Sequence, residues 1–211
     1  MDRRRFLQAA GSSDYVQDGL ILHLDGLNRG GNTGEWVNLV DGNIFTLDGN
    51  YTENDNGVTF ASASLYTITI YEPVSVQFVI NNRNNAFAAL FHTNTRDKSI
   101  YTLTNGDLQF GVSNSENPGY TVATPHDQII SVSADFNGKN YDDPRINGAP
   151  VEKVKNPDRW ASLYTGTKFG KYNNAYPFVG DILSIMFYDR QLTEAEKAKN
   201  FAVDMRRFNI E

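Results

Sequence analysis

The sequence predicts an all-β fold, an antiparallel sandwich closed by one short C-terminal helix. Apolar runs of strand length recur along the chain and are separated by turn signals roughly every 8–12 residues. Aromatic and turn-forming residues are abundant, with 13 Phe, 11 Tyr and 17 Gly in 211 residues, as many short strands and tight turns require. A helical period appears convincingly only near the end, after Gln191. The chain lacks cysteine, which leaves no disulfide framework and no thiol chemistry, and its length allows a core that needs no staples. A net charge of −6 argues against a nucleic-acid groove, because counterion release needs a basic face. No apolar run is long enough to cross a bilayer. With neither an internal repeat nor a low-complexity linker, one domain is expected.

Residues 1–17 are expected to form a basic N-terminal arm, and residues 18–211 the domain. Arg3, Arg4, Arg5, Phe6 and Leu7 resemble a twin-arginine export pattern. The following Gln8 to Asp14 is too short and too polar for the apolar stretch such a signal needs. The arm is therefore expected to dock on an acidic neighbouring surface.

Leu20 to Asp25 alternates, with Leu20, Leu22 and Leu24 on one face and Ile21, His23 and Asp25 on the other. Gly26 to Gly34 reads as a loop and Trp36 to Val40 as a short apolar piece. Further strands are expected at Phe45–Leu47, Gly57–Phe60, Leu65–Ile70, Val74–Ile80, Phe87–His92, Ser99–Leu103, Leu108–Val112 and Gln128–Phe136. Asn105-Gly106 and Asn147-Gly148 have the chemistry of two-residue hairpin turns, and Asn117-Pro118-Gly119 marks another turn. Residues 155–177 read as an aromatic-rich loop. Ile182 to Tyr188 is apolar but for Ser184, as befits a strand buried on both faces. Thr193 and Glu196 have capping-box spacing. Ala195, Ala198, Ala202 and Met205 then share one helical face, with Phe201 and Phe208 beside it.

The order of these features resembles the laminin-G-like jelly roll of the concanavalin-A-like lectin/glucanase superfamily. The resemblance runs over roughly residues 18–208 and rests on four pieces: Asp18 to Gly26, Trp36 to Leu39, Asn147-Gly148, and above all Gly180-Asp181-Ile182 through Tyr188 to Thr193. It implies two curved antiparallel sheets packed face to face. It does not settle function, since the superfamily holds binders, enzymes and structural modules.

Glucan-cleaving members of that superfamily carry Glu-x-Asp-x-x-Glu on one strand, which puts alternate carboxylates on one face. The nearest match runs from Glu53 and Asp55 to Val58, where the third carboxylate is missing, so Glu53 and Asp55 are expected to be solvated loop acids. Gly26 to Thr33 has part of a phosphate-loop spacing, but Asn32 stands where lysine should be, and a surface loop is expected. His23, His92 and His126 show no zinc spacing, and no nucleophile elbow is present. His23 and His92 are expected to be packed or hydrogen-bonded. No cofactor is expected. Calcium is the alternative, at Asp135, Asp142 and Asp143, against ordinary turn acids.

A binding surface is what these exclusions leave. Sugars are held by aromatic faces and by amides and carboxylates that meet hydroxyls. Trp160, Tyr164, Tyr172, Asn173, Asn174 and Tyr176 are the expected ligand-binding group, against a plain aromatic cap on the sandwich edge. Asn81, Asn82, Asn84 and Asn85 form a second polar loop. The expected function is a non-catalytic recognition or adhesion module for a glycan or cell-surface polysaccharide, displayed on a phage virion or another extracellular surface. Two alternatives stand beside it: a purely structural head, tail-fibre or decoration protein, and a glycan-cleaving enzyme. The arm is expected to contact other structural proteins and the domain to form a homo-oligomer, with no nucleic acid and no membrane insertion.

Overall fold

The computed structural model describes residues 14–83, 86–93, 99–111, 120–138, 141–155, 166–172 and 175–211. The strands there are β1 (Leu20–Asp25), β2 (Glu35–Val37), β3 (Ile44–Asn54), β4 (Gly57–Thr67), β5 (Ser75–Asn82), β6 (Ala88–His92), β7 (Ile100–Thr102), β8 (Leu108–Phe110) and β9 (Tyr120–Val122). They continue with β10 (Ile129–Phe136), β11 (Tyr141–Ile146), β12 (Ala149–Pro150), β13 (Val154–Lys155), β14 (Thr167–Phe169), β15 (Lys171–Tyr172), β16 (Ala175–Pro177) and β17 (Gly180–Tyr188), before helix α1 (Glu194–Phe208).

All these strands belong to one hydrogen-bonded sheet that curls over itself into a sandwich. One layer runs β1–β17–β5–β10–β11, and the other β3–β4–β14–β6–β7–β8–β9. The expected two sheets are thus continuous. The β3–β4 hairpin joins them, because β4 pairs with β17 through residues 58–60 and with β14 through residues 65–67. This hairpin is longer than the short pieces expected from Phe45–Leu47 and Gly57–Phe60. Polar Asp48, Asn50 and Thr52 continue β3 because its backbone finds a complete partner in β4. Both Asn-Gly hairpins form, but at Asn105-Gly106 the loop has three residues, 104–106, closed by Leu103 and Asp107, with the left-handed conformation at Gly106 and not at Asn105. At Asn147 and Gly148 the φ angles are +49° and +73°, the paired left-handed geometry of a tight hairpin turn.

The core between the layers is aromatic, with Phe78, Phe91, Phe169 and Phe187 in mutual contact at ring centroids 4.9–6.4 Å apart. Strand alternation places Leu22 and Leu24, Val76, Phe78 and Ile80, and Ile130 and Val132 in it. In β17 the parity changes. Ile182 faces the core, but so do Ile185 and Phe187, because the register against β5 slips between Ile182 and Ser184. The slip is a bulge that inserts one residue and re-aims those after it. Two glycines let the hairpin approach this strand. A Cβ on Gly57 would lie 2.3 Å from the Ile182 carbonyl oxygen, and one on Gly26 2.5 Å from that of Leu183.

The outer face of the first layer is covered by α1 and by residues 14–17, so β17 is buried on both sides as the sequence predicted. The capping box is present, with Thr193 Oγ1 accepting from the Glu196 amide and the Glu196 carboxylate accepting from the Thr193 amide. The buried side of the helix is not the expected one. Ala195, Ala198, Ala202 and Met205 face solvent, while Asn200, Val203, Asp204 and Phe208 are buried.

The reason is the polar ground beneath. Asp204 accepts hydrogen bonds from Gln77 Nε2 (2.5 Å), Ser131 Oγ (2.7 Å) and Tyr15 Oη (2.8 Å). Asn200 accepts from the Val16 amide at 2.9 Å and donates to Tyr188 Oη at 2.9 Å. Arg207 reaches the buried Asp25 at 2.6 Å. Tyr15 and Val16, expected in the free arm, are therefore part of the domain.

Burial lowers the His23 pKa to about 4 and, with Lys168 nearby, lowers that of His92 to about 3. Burial raises Asp204 to about 6, against the pull of its three donors. Between pH 6 and 5 the unfolded chain binds the two histidine protons, and the folded chain binds the Asp204 proton. The net is one more proton on the unfolded side, so stability falls as pH falls, by about 1.4 kcal/mol per unit. Denaturant titration at pH 6 and pH 5 is expected to show this loss, and His23→Phe to abolish most of it. Asp204→Ala strands three buried donors and should cost about 3 kcal/mol or more in the same assay.

Candidate functional site

In the second layer, the side chains that face away from the core make a polar row across neighbouring strands. Ile100, Leu108, Phe110 and Val122 point inward, so Ser99, Tyr101, Gln109 and Thr121 point outward. Tyr101 lies opposite Gln109, and Gln109 opposite Thr121. On the other side Lys168 of β14 lies opposite His92 of β6. The row thus spans β14, β6, β7, β8 and β9.

Aromatic rings run along one flank. The Phe87 ring stacks on Tyr101, with centroids 5.1 Å apart at 15°. Tyr176 meets Phe87 edge-on at 5.5 Å, and His92 meets Tyr101 edge-on at 5.1 Å. Tyr176 keeps half its surface exposed and has φ of +53°, a left-handed conformation that is uncommon for a bulky residue. Lys168 lies 5.8 Å from the Tyr66 ring centre. Burial, with Lys171 adding to it, lowers its pKa.

Several polar atoms of the row are buried yet unmatched. Ser99 Oγ, Gln109 Oε1 and Thr121 Oγ1 have no hydrogen-bond partner among the described residues. Gln109 Nε2 is bound to the Gly111 carbonyl at 3.0 Å, which orients the carboxamide. Buried polar atoms are nearly always paired with protein or water. The row itself is buried, with Ser99, Tyr101 and Gln109 each 1% exposed, and the part of the flank open to a ligand is the ring of Tyr176.

Of the residues expected to bind ligand, Tyr176 lies at this face. Tyr172 pairs through its backbone with Ala175 in the β15–β16 hairpin. Trp160, Tyr164, Asn173 and Asn174 lie outside the described residues, as do Arg3, Arg4, Arg5, Phe6 and Leu7 and the turn at Asn117. Asn81 and Asn82 belong to β5 and not to a loop, and Asn82 donates to the Gly106 carbonyl at 2.7 Å. The sequence places Tyr101 and Gln109 in expected strands and assigns none to Thr121, whose strand β9 it misses. Only the register sets the three opposite one another.

Asp135 and Asp143 are joined by Lys197, whose Nζ lies 2.6 Å from each. Arg145 also holds Asp143, and Lys153 pairs with Asp142. An ammonium occupies the space a cation would need. Among the described residues no group of three or more His, Cys, Asp or Glu side chains could hold a metal ion.

Glu53 is not a solvated loop acid. It ends β3, accepts from the Gly34 amide at 2.7 Å and pairs with Arg29 at 3.2 Å. Arg29 also donates to the carbonyls of Asn54 and Gly57, which bolts the Gly26 to Gly34 loop to the hairpin. Asp55 stands at the hairpin tip.

No family model matches the chain, and no curated protein matches it in sequence. Solved structures do. The chain is similar to Trypanosoma rangeli sialidase in complex with sialic acid, with TM-score 0.63 and 12% identity over 89% of this chain and 33% of that one. It is similar to domain 4 of AbnA, a GH43 extracellular arabinanase from Geobacillus stearothermophilus, in complex with arabinotriose, with TM-score 0.56 and 17% identity over 87% of this chain and 98% of that one. It is also similar to botulinum neurotoxin type C, whose cell entry is dependent upon interaction with two ganglioside molecules, with TM-score 0.59 and 12% identity over 88% and 51%. The chain thus spans 33% of the sialidase and 51% of the toxin chain. These likenesses establish the fold, an all-β sandwich module.

Because Lys197 already neutralises Asp135 and Asp143, adding calcium or a chelator is expected to leave the melting temperature unchanged. Lys197→Met leaves two carboxylates facing each other and should lower stability by about 3 kcal/mol, measured by thermal or denaturant unfolding.

Proposed function

We propose that this chain is a non-catalytic carbohydrate-recognition module of the laminin-G-like type, presented on a virion or another extracellular surface. The observation that carries the reading is the half-exposed ring of Tyr176, which meets Phe87 edge-on beside the polar row of Ser99, Tyr101, Gln109 and Thr121. A saccharide meets both kinds of surface at once. Its C–H face lies on the ring, and its hydroxyls turn to the polar side of the same face. The likeness to an arabinanase domain holding arabinotriose supports the same reading, since this chain covers 98% of that domain. Glu53 is held by Arg29 and the Gly34 amide, which supports a structural use of that carboxylate over a catalytic one.

A glycan array followed by titration calorimetry tests the proposal. Binding to at least one neutral oligosaccharide is expected. Tyr176→Ala and Thr121→Val should each weaken it tenfold or more, about 1.4 kcal/mol. Thr121→Val should leave the melting temperature unchanged, because its hydroxyl has no described partner to lose. Trp160→Ala should weaken binding as well if the aromatic group from the sequence belongs to the same surface. An array without binding, together with a stable trimer or incorporation into a virion, would instead make the module purely structural.

A further inference from the structure

The chain holds a single Asn-x-Ser/Thr triplet, Asn50-Tyr51-Thr52, and an acid, Asp48, stands two residues before the asparagine. Such a triplet, with a middle residue other than proline, is the acceptor signal for an N-linked glycan. The fold places it in β3, past the point where β2 ends. β2 pairs with residues 44–46, and the Leu47 amide reaches the Gly34 carbonyl at 2.8 Å. From Asp48 to Thr52 the backbone pairs only with β4 among the described residues. This stretch is therefore a free sheet edge.

Strand alternation brings the signal to one surface. Tyr51 packs against the core, so Asn50 and Thr52 on either side of it point outward together. Asp48, Asn50 and Thr52 are all exposed. Their partners across the hairpin are Ser64, Ser62 and Thr59, so the register slips beside Asn50 and leaves Ala61 as the extra residue of β4. Gly49, next to the slip, has φ of +98°. A strand held from one side and paired irregularly opens locally at low cost, and a modifying enzyme needs that opening to draw the asparagine into its site. No hydrogen bond holds the Asn50 carboxamide or the Thr52 hydroxyl among the described residues.

We infer that Asn50 is an acceptor for an N-linked glycan, added by an oligosaccharyltransferase that reads Thr52 and Asp48 together with it. In the transfer, Asn50 Nδ2 attacks the anomeric carbon of a saccharide carried on a polyprenyl diphosphate. A C–N bond forms, the C–O bond to the diphosphate breaks with its electron pair on the leaving oxygen, and one Nδ2 proton goes to a base of the transferase. The Asp48 carboxylate offers a charge that a basic residue of the enzyme can pair with. Here the chain carries a sugar instead of binding one, so the assignment stands whether or not the Tyr176 face binds glycan.

The folded full-length chain, incubated with a purified oligosaccharyltransferase of the acid-reading class and a polyprenyl-diphosphate oligosaccharide, provides the test, read by intact mass and peptide mapping. A gain of one glycan at Asn50 is expected, in the folded chain as in the denatured one. Asn50→Gln and Thr52→Val, both at exposed positions, should each abolish the gain. Thr52→Ser should keep it, and Asp48→Asn should lose it. Transfer to the denatured chain only, a gain that survives Asn50→Gln, or no gain at all would overturn the assignment. Undiminished transfer in Asp48→Asn would overturn the part given to the acid.

Discussion

Asp204 sits on a helix yet is the anchor of a sheet. Its carboxylate is buried, and three donors from three separate segments, Tyr15, Gln77 and Ser131, converge on it. An unmatched carboxylate in that place would be very costly, and so would three unmatched donors. The helix therefore cannot slide or rotate without losing the whole set. Desolvation still shows in the raised pKa of the group. What is gained is a single docking of helix, N-terminal segment and sheet, and a face of the first layer that stays dry.

That docking makes β17 a strand buried on both sides and so the hub of the fold. It pairs with β1, with β5 and with the first part of β4, and β4 then crosses into the other layer to meet β14. Gly26 and Gly57 permit the close backbone approach this needs. The bulge at Leu183 turns the later residues of β17 inward and leaves Leu183 on the outer side, under the helix. The candidate ligand surface hangs from this frame on the outer face of the second layer and does not use the core itself.

Much of the architecture was legible in the residues. The apolar run from Ile182 to Tyr188, the capping box at Thr193, and the Asn-Gly turns at residues 105 and 147 are local signals with local causes, and they appear where the sequence placed them. The helix buries another face than the one its apolar period marks, Ala195, Ala198, Ala202 and Met205, because the surface beneath it is polar. Gln77 and Ser131 belong to distant strands, so no window of sequence contains the reason for burying Asp204 and Asn200. Glu53 reads as a loop residue for a similar cause. Asparagine and glycine around it argue for a turn, and the β4 partner that makes it a strand end lies beyond the turn.

By itself the sequence determined the all-β class, the turn positions, the closing strand and helix, and the absence of a disulfide framework, because each follows from composition or from short-range periodicity. The tertiary structure alone decided which side chains stand opposite each other. Register aligned Tyr101, Gln109 and Thr121 on one layer, and Ile129, Asn81, Asp181 and Thr59 on the other. Long-range ion pairs assigned Asp135 and Asp143 to Lys197. Most of these contacts join residues tens of positions apart, and their geometry is set by strand pairing and burial, which no local pattern encodes.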